Sequence, residues 1–299
     1  MKVIVTGGAG FIGSNVVDMA ISKGWHVKVI DNLSTGFSKN INPNSEFINA
    51  DICDYNKIQQ HFRNVDVVFH LAALPRVQPS IDDPLPYNKV NIEGTLSVLD
   101  ACKNNGVKKV IFSSSSSIYG ECGSTSVSER SKKSPLSPYA LQKLTCEEYF
   151  KLYSKLFNIN SVCLRYFNVY GKRQPTVGCY VPVVGIFFKQ YKSCLPLTIT
   201  GDGQQSRDFI NVVDVAKANI LAAESDLIGY NYFNVGTGKD YKIIDIAKRI
   251  SSNLSYIEKR LEPSKTQANI SKIKKILGWD YSIDLLNWID GNKDAVGEL

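Results

Sequence analysis

No apolar stretch of this chain approaches the length needed to cross a bilayer, so no membrane association is expected. The chain enters a core-strand pattern at once, Lys2-Val3-Ile4-Val5-Thr6, which leaves no room for a signal peptide. The seven cysteines (53, 102, 122, 146, 163, 179 and 194) are scattered, odd in number and free of any Cys-x-x-Cys. That pattern fits a reducing, cytoplasmic setting and no structural metal. Histidine is scarce: His26 and His61 have no recognisable partners, and His70 ends a strand, where a packed residue is expected rather than a base. No solenoid-type repeat is present. The net charge of +7 is dispersed, with some clustering from Lys259 to Lys275. An anionic nucleotide substrate or a solvated surface explains it as well as nucleic acid does, and no nucleic-acid partner is expected.

What is present begins with glycine. Gly7-x-x-Gly10-x-x-Gly13 follows the first strand directly and opens a helix with an apolar face (Phe11, Ile12, Val16, Val17, Ala20). Gly7 allows a tight strand-to-helix turn, Gly10 lets a pyrophosphate approach the backbone, and Gly13 lets the helix pack close to the sheet. The amides of the first helical turn, at Phe11 and Ile12, offer partial positive charge to phosphates. A second apolar run, Val27-Lys28-Val29-Ile30, ends at Asp31, where a carboxylate can accept hydrogen bonds from an adenosine ribose and would repel a 2′-phosphate. NAD is therefore favoured over NADP, with Asn32, Ser34, Thr35 and Gly36 continuing the lip. The alternative is a glycine turn with no ligand.

Apolar runs alternate with helical patterns through the first half. Val65–Ala73 reads as a strand running into a small-residue loop, 88–104 as a helix and 107–113 as a strand. Residues 139–157 read as a helix and 161–166 as another strand. This rhythm predicts an α/β chain: a Rossmann-type doubly wound parallel sheet with a smaller C-terminal substrate-binding lobe. Residues 1–167 would form the NAD-binding domain, joined by parts of 209–236, and 168–299 mainly the substrate lobe, which would close over the substrate. Ligands sit outside the carboxyl ends of such strands. Gly7–Gly13, Asp31-Asn32, Asp51-Ile52, Leu71-Ala72-Ala73, Ser113–Ser117 and Tyr166–Asn168 should therefore converge on one crevice.

Ser137-Pro138 is a good helix start, and the helix that follows carries Tyr139 and Lys143 on one face at i and i+4. A tyrosine hydroxyl titrates near about pH 10 and is a poor base until a nearby ammonium favours the phenolate. Ser115, after the preceding strand, can hold the same substrate oxygen. Tyr-x-x-x-Lys also occurs by chance on helices, and five consecutive serines can be a linker. Here the serines lie between Lys109-Val110-Ile111-Phe112 and Ile118-Tyr119-Gly120, which favours a strand-end loop. Ser115, Tyr139 and Lys143 are the candidate catalytic residues.

With these pieces in place the chain resembles the extended short-chain dehydrogenase/reductases, and among them the UDP-hexose 4-epimerases, including those acting on N-acetylated sugars. The resemblance runs from Gly7 to Trp279. It is carried by Gly7-Gly8-Ala9-Gly10-Phe11-Ile12-Gly13, Asp31–Gly36, His70–Ala73, Asn91-x-x-Gly94-Thr95, Ser113–Gly120, Tyr139-x-x-x-Lys143, Arg165–Gly171, Gly201-Asp202-Gly203, Arg207-Asp208-Phe209 and Leu277-Gly278-Trp279. It implies that Asn91, Ser113 and Tyr166 join the glycine loop, Asp51, Ile52, Leu71, Ala72, Ala73, Tyr139 and Lys143 in holding NAD. It implies that Ser115, Ser117 and Tyr139 meet the sugar, that Asn168 bonds the UDP phosphates, and that Arg207 clamps the diphosphate, with Arg260 as a second phosphate arginine. Thr266 aligns with a position that limits room beside C2 of the sugar. Its small size leaves space for an N-acetyl group, so UDP-GlcNAc/UDP-GalNAc conversion is plausible beside UDP-Glc/UDP-Gal. A homodimer is implied too, through helices near 88–104 and 139–157.

The expected reaction is oxidation at C4 of the sugar by NAD, rotation of the 4-keto sugar about its diphosphate link, and reduction from the other face, with cofactor retained. Dehydratases and decarboxylases of this superfamily resemble a pattern with a carboxylate where this chain has Ser115-Ser116-Ser117. Another NAD-dependent nucleotide-sugar enzyme, a dehydratase or reductase, is the nearest rival. A non-catalytic nucleotide-binding regulator or RNA-associated protein is the rival of another class.

Overall fold

The computed structural model describes residues 1–75, 77–121, 123, 126–175, 182–259 and 263–293. In chain order the strands are β1 (Lys2–Thr6), β2 (His26–Asp31), β3 (Glu46–Asn49), β4 (Val67–His70), β5 (Lys109–Ser115), β6 (Asn160–Tyr166), β7 (Asn168–Tyr170), β8 (Leu197–Thr200), β9 (Ser206–Asn211), β10 (Tyr230–Val235), β11 (Asp240–Lys242), β12 (Leu254–Ile257) and β13 (Lys265–Thr266). The helices are α1 (Phe11–Ser22), α2 (Tyr55–Ile58), α3 (Val77–Asp82), α4 (Pro84–Asn88), α5 (Gly94–Asn104), α6 (Pro138–Phe157), α7 (Val183–Lys192), α8 (Val212–Glu224), α9 (Ile243–Ile250), α10 (Ser271–Leu277) and α11 (Leu285–Asn292).

Two compact units emerge, each built from separated stretches of chain: 1–118, 135–165 and 216–233 form the first, and 119–134, 166–215 and 234–299 the second. The central sheet has the order β10-β6-β5-β4-β1-β2-β3 among the described residues. It is a parallel, Rossmann-type sheet, as the β-α-β rhythm predicts. Val3, Ile4, Val5, Val29, Ile30, Val68 and Phe69 are buried because helices cover both faces of such a sheet. The strand order reverses outward from β1 and β4, which places a topological switch point at their carboxyl ends.

Helix α6 starts as its sequence dictates. The Ser137 hydroxyl accepts the Ala140 N–H at 3.2 Å, and Pro138 takes the first helical position. It ends at Asn158 in the left-handed conformation. The segment read as one helix over 88–104 differs: Lys89–Glu93 is a π-helical turn before α5. Just after that turn, Thr95 Oγ1 donates back to the Asn91 carbonyl at 2.6 Å.

In the second unit β9 is the hub. It pairs with β11 antiparallel and with β7 and β13 parallel. An apolar cluster of Phe187, Phe188, Leu197, Ile199, Ile246 and Ile289 lies at the centre of this unit. No described helix is long and apolar enough to cross a membrane.

Candidate active site

The glycine turn is a cradle in which side chains do not fit. A Cβ on Gly13 would lie 2.1 Å from the Gly7 carbonyl oxygen, and one on Gly7 (φ +73°) 2.7 Å from Ala72 N. Gly10 caps α1 without a side-chain hydrogen bond, and the first N–H to return to it is that of Ser14, at 3.1 Å. The amides of the first turn have no partner within the helix, and the glycines before them leave no side chain in the turn, which fits a pyrophosphate.

Asp31 ends β2 and is buried. Its Oδ2 accepts Ala9 N at 3.0 Å and its Oδ1 accepts Leu33 N at 2.8 Å, so the carboxylate ties the glycine loop to the next lip. Two carboxylate oxygens have room for further donors, which fits a ribose diol. Asn32 donates to Asp51 at 3.0 Å and accepts Ser34 N at 3.1 Å. Against the opposing effect of burial, the hydrogen bond from Cys53 N, with that from Asn32 Nδ2, holds the Asp51 carboxyl below its ordinary range. Gly36 packs against Ala9, where a Cβ would approach to 2.9 Å.

The loop after β4 is strapped down by Asn91. Its Oδ1 accepts Leu74 N at 2.8 Å, while Nδ2 donates to Leu74 O at 3.2 Å and to Gln142 Oε1 at 2.8 Å. Leu71, Ala72 and Ala73 are thereby tied to α6. His70 is fully buried in a directional chain. Ala72 N donates to Thr6 Oγ1 (3.3 Å), which pairs with His70 Nδ1 (2.8 Å); His70 Nε2 pairs with Thr95 Oγ1 (2.9 Å). Because Thr95 donates onward to Asn91 O, the proton is assigned to Nε2. Burial, aided by the charge of Lys143, pushes His70 down to about 3, so it stays neutral.

Ser115, Tyr139 and Lys143 all lie in the first unit. Ser115 Oγ accepts from Ser117 N at 3.2 Å and from Ser117 Oγ at 2.9 Å. Both bonds use its lone pairs, which leaves its own proton to donate. The Lys143 ammonium donates to Ser113 O at 2.7 Å and lies 4.7 Å from the Phe112 ring centre and 6.0 Å from that of Tyr139. Burial lowers Lys143 to about 8. Tyr139 N is fixed by Ser80 Oγ at 3.1 Å.

In the second unit, Asn168, Arg207 and Thr266 sit on neighbouring strands. Asn168 Nδ2 donates to Asp208 O at 2.7 Å, and Thr266 is the register partner of Arg207. The Thr266 hydroxyl is buried and makes no hydrogen bond among the described residues. Arg207 is buried and donates to Ser206 O at 2.8 Å. Next to it, Asp208 accepts from Thr237 N, Thr237 Oγ1, Gly238 N and Ala268 N, all within 3.0 Å. Burial pushes Asp208 up to about 6 against the pull of these donors. Tyr166 is buried at the end of β6. Arg260 lies outside the described residues.

Sequence reasoning passed over the Thr6–His70–Thr95 chain, Gln142 and the roles of the buried carboxylates Asp208 and Glu147. Glu147 carried a signal, since it continues the Tyr139/Lys143 spacing by one more turn. A cavity of about 890 Å³ lined by Met1, His26 and Lys109 among others opens at the amino ends of the central strands, and it contains none of the candidate residues.

A parallel sheet, a glycine turn at its switch point and an acid ending the second strand define a Rossmann-type dinucleotide-binding protein. The profile of the NAD dependent epimerase/dehydratase family matches residues 3–236, and the chain belongs to that family. It is 38% identical over 308 residues to a putative UDP-glucose 4-epimerase of Methanocaldococcus jannaschii, spanning 97% of this chain and 99% of that protein. It is similar to the UDP-N-acetylglucosamine 4-epimerase of Methanobrevibacter ruminantium, solved with UDP-N-acetylmuramic acid: TM-score 0.90, 39% identity, 97% of this chain and 98% of that one. The Thermus thermophilus UDP-glucose 4-epimerase, solved with NAD, matches at TM-score 0.92 and 34% identity over 98% of both chains.

Proposed function

We propose that this protein is an NAD-dependent 4-epimerase of UDP-hexoses. The observation that carries the reading is the arrangement of Ser115, Tyr139 and Lys143: a hydroxyl left to donate, and a buried ammonium beside a tyrosine ring.

The glycine loop, Asp31 and the strapped loop at Leu71–Ala73 would hold NAD, with Ser113, Tyr166 and the Lys143 ammonium near its nicotinamide end. Bound NAD supplies a reversible hydride acceptor. Lys143 lowers the cost of negative charge on the Tyr139 oxygen, which takes the proton of the sugar 4-hydroxyl and later returns it. Ser115 donates to that same oxygen as it becomes a carbonyl, and Ser117 keeps the Ser115 hydroxyl turned outward. Asn168 and Arg207 hold the diphosphate, so the 4-keto sugar stays tethered while it turns over. Three serines stand where a dehydratase would need a carboxylate, so loss of water has no acid here.

The small Thr266 side chain, the register partner of Arg207 and without a hydrogen bond among the described residues, supports a place beside the sugar with room for an N-acetyl group. The protein would work in the cytoplasm as a homodimer. Leu141, Leu152 and Leu156 on α6 and Leu85 on α4 are exposed apolar residues that a second copy would cover.

The test is incubation of purified protein with UDP-GlcNAc and, separately, UDP-Glc, without added cofactor, followed by chromatography. The C4 epimer with no net NADH is expected, and Tyr139→Phe should abolish it while NAD content persists. A dehydrated or reduced product, or near-normal turnover by Tyr139→Phe, would refute the mechanism.

A further inference from the structure

We propose that Glu147 and Arg165 form a buried clamp that positions the Ser115/Tyr139/Lys143 group, with Ser114 as its link to β5. The proposal rests on the 4-epimerase reading above.

Glu147 follows Lys143 by one helical turn and Tyr139 by two, so one face of α6 carries all three. The side chains of Arg165 and Glu147 are 2% and 1% exposed. Arg165 Nε donates to Glu147 Oε1 at 2.8 Å and Nη2 to Oε2 at 2.6 Å, a two-pronged fork. Ser114 Oγ donates to Oε1 at 2.6 Å and Tyr230 OH to Oε2 at 3.4 Å. The guanidinium lies 4.6 Å from the Tyr232 ring centre. A single carboxylate thus joins α6 to three adjacent strands, β5, β6 and β10.

Such a pair is a poor device for stability alone, because desolvating both charges offsets their attraction. Apolar residues would hold the helix on the sheet equally well, as Phe112 and Phe150 do nearby with ring centres 4.6 Å apart. What the carboxylate adds is direction. Four hydrogen bonds fix the helix along and around its axis, where apolar contacts permit small slides. Ser114 lies between Ser113, whose carbonyl accepts from Lys143, and Ser115. The clamp therefore fixes the end of β5 against α6 at the two points where Lys143 and Ser115 act. His70 from β4, Cys163 from β6 and Cys146 and Glu147 from α6 face the Lys143 ammonium, and Glu147 helps sustain its charge against burial.

Ser114→Ala tests the link without leaving a buried charge unpaired. In the holoenzyme its kcat is expected to fall about tenfold, with KM for UDP-glucose within about twofold. Its Tm should fall only by the roughly 3–10 °C that one lost hydrogen bond to a buried carboxylate costs. The double variant Glu147→Gln/Arg165→Met removes the clamp as a neutral pair and should lower kcat further. If that variant does not fold, Ser114→Ala decides by itself. In an active holoenzyme, kcat of Ser114→Ala within about twofold of wild type overturns the proposal, even if Tm drops, since that is what a merely structural clamp would give. A readout independent of turnover is the ¹³Cε titration of Lys143 in lysine-labelled protein, whose midpoint should move to lower pH in Ser114→Ala. Wild-type protein that converts no UDP-hexose would sink the epimerase reading. The Lys143 midpoint then decides the clamp, and an unmoved midpoint overturns it.

Discussion

Gly13→Ala should uncouple the glycine loop from the sheet, and its cost can be worked from the geometry. The added Cβ would meet Gly7 O at 2.1 Å, Gly7 C at 2.8 Å and Gly8 Cα at 3.0 Å. All three are backbone atoms, so no rotamer relieves the clash. The same Gly7 carbonyl accepts Gly10 N at 3.1 Å to close the turn, so it cannot swing aside cheaply. The start of α1 must withdraw from β1 by about 1 Å, at the cost of overpacking, about 1–3 kcal/mol. For a unit of this size that is a fall in apoprotein Tm of about 3–10 °C. A displacement of about 1 Å also misaligns the first-turn amides, and positional errors of that size can cost about a hundredfold in function. The assay is melting of cofactor-stripped protein together with NAD released on denaturing the purified holoprotein. Two controls separate the effects. Among the described residues a Cβ on Gly10 meets only Gly7 O, at 3.2 Å, so Gly10→Ala should lose NAD with little loss of Tm. A Cβ on Gly291 in α11 meets no described residue within 4 Å, so Gly291→Ala should keep NAD and gain slightly in stability. A Gly13→Ala protein with wild-type Tm and NAD content would refute the reasoning.

Lys143 titrates lower when folded, about 8 against 10.5, so between those values the unfolded chain binds more protons and this group adds stability as pH rises. Lys143→Met should abolish epimerisation, and its urea stability relative to wild type should worsen by about 2 kcal/mol from about pH 7.5 to about pH 9.5; a constant difference would contradict the buried ammonium. Asp208→Asn presents an NH₂ to two of four donors whichever way the amide sits, so a loss of about 2–4 kcal/mol by urea unfolding and a raised KM for UDP-sugar are expected. Thr266→Tyr should lower turnover of UDP-GlcNAc about tenfold or more relative to UDP-Glc, and an unchanged ratio would remove Thr266 from the sugar site.

The glycine turn, Asp31 and the start of α6 were legible because each is written in neighbouring residues: a buried run, a required glycine, a Ser-Pro start. Strand ends slipped. The run expected at 107–113 forms β5 at Lys109–Ser115, and its start is set by pairing with β4, whose Val67 is the register partner of Lys109. The π-turn at Lys89–Glu93 was invisible, since one extra residue scarcely disturbs a helical pattern over 88–104. The roles of Glu147 and Asp208 were hidden for a different reason. Their partners lie up to 83 and 60 positions away, and a carboxylate on a helix or strand looks solvated until the topology brings donors to it.

The interleaving of the two units has a consequence for synthesis on the ribosome. Strand β6 ends at Tyr166, but β10, which covers its outer side, begins only at Tyr230. At about 5–20 residues per second the growing chain carries that open edge for about 3–12 s. During this interval the run Ser161-Val162-Cys163-Leu164 offers unpaired backbone to any passing strand. Slow codons between β6 and β10 would lengthen the exposure and lower the soluble yield, although the finished protein would be identical.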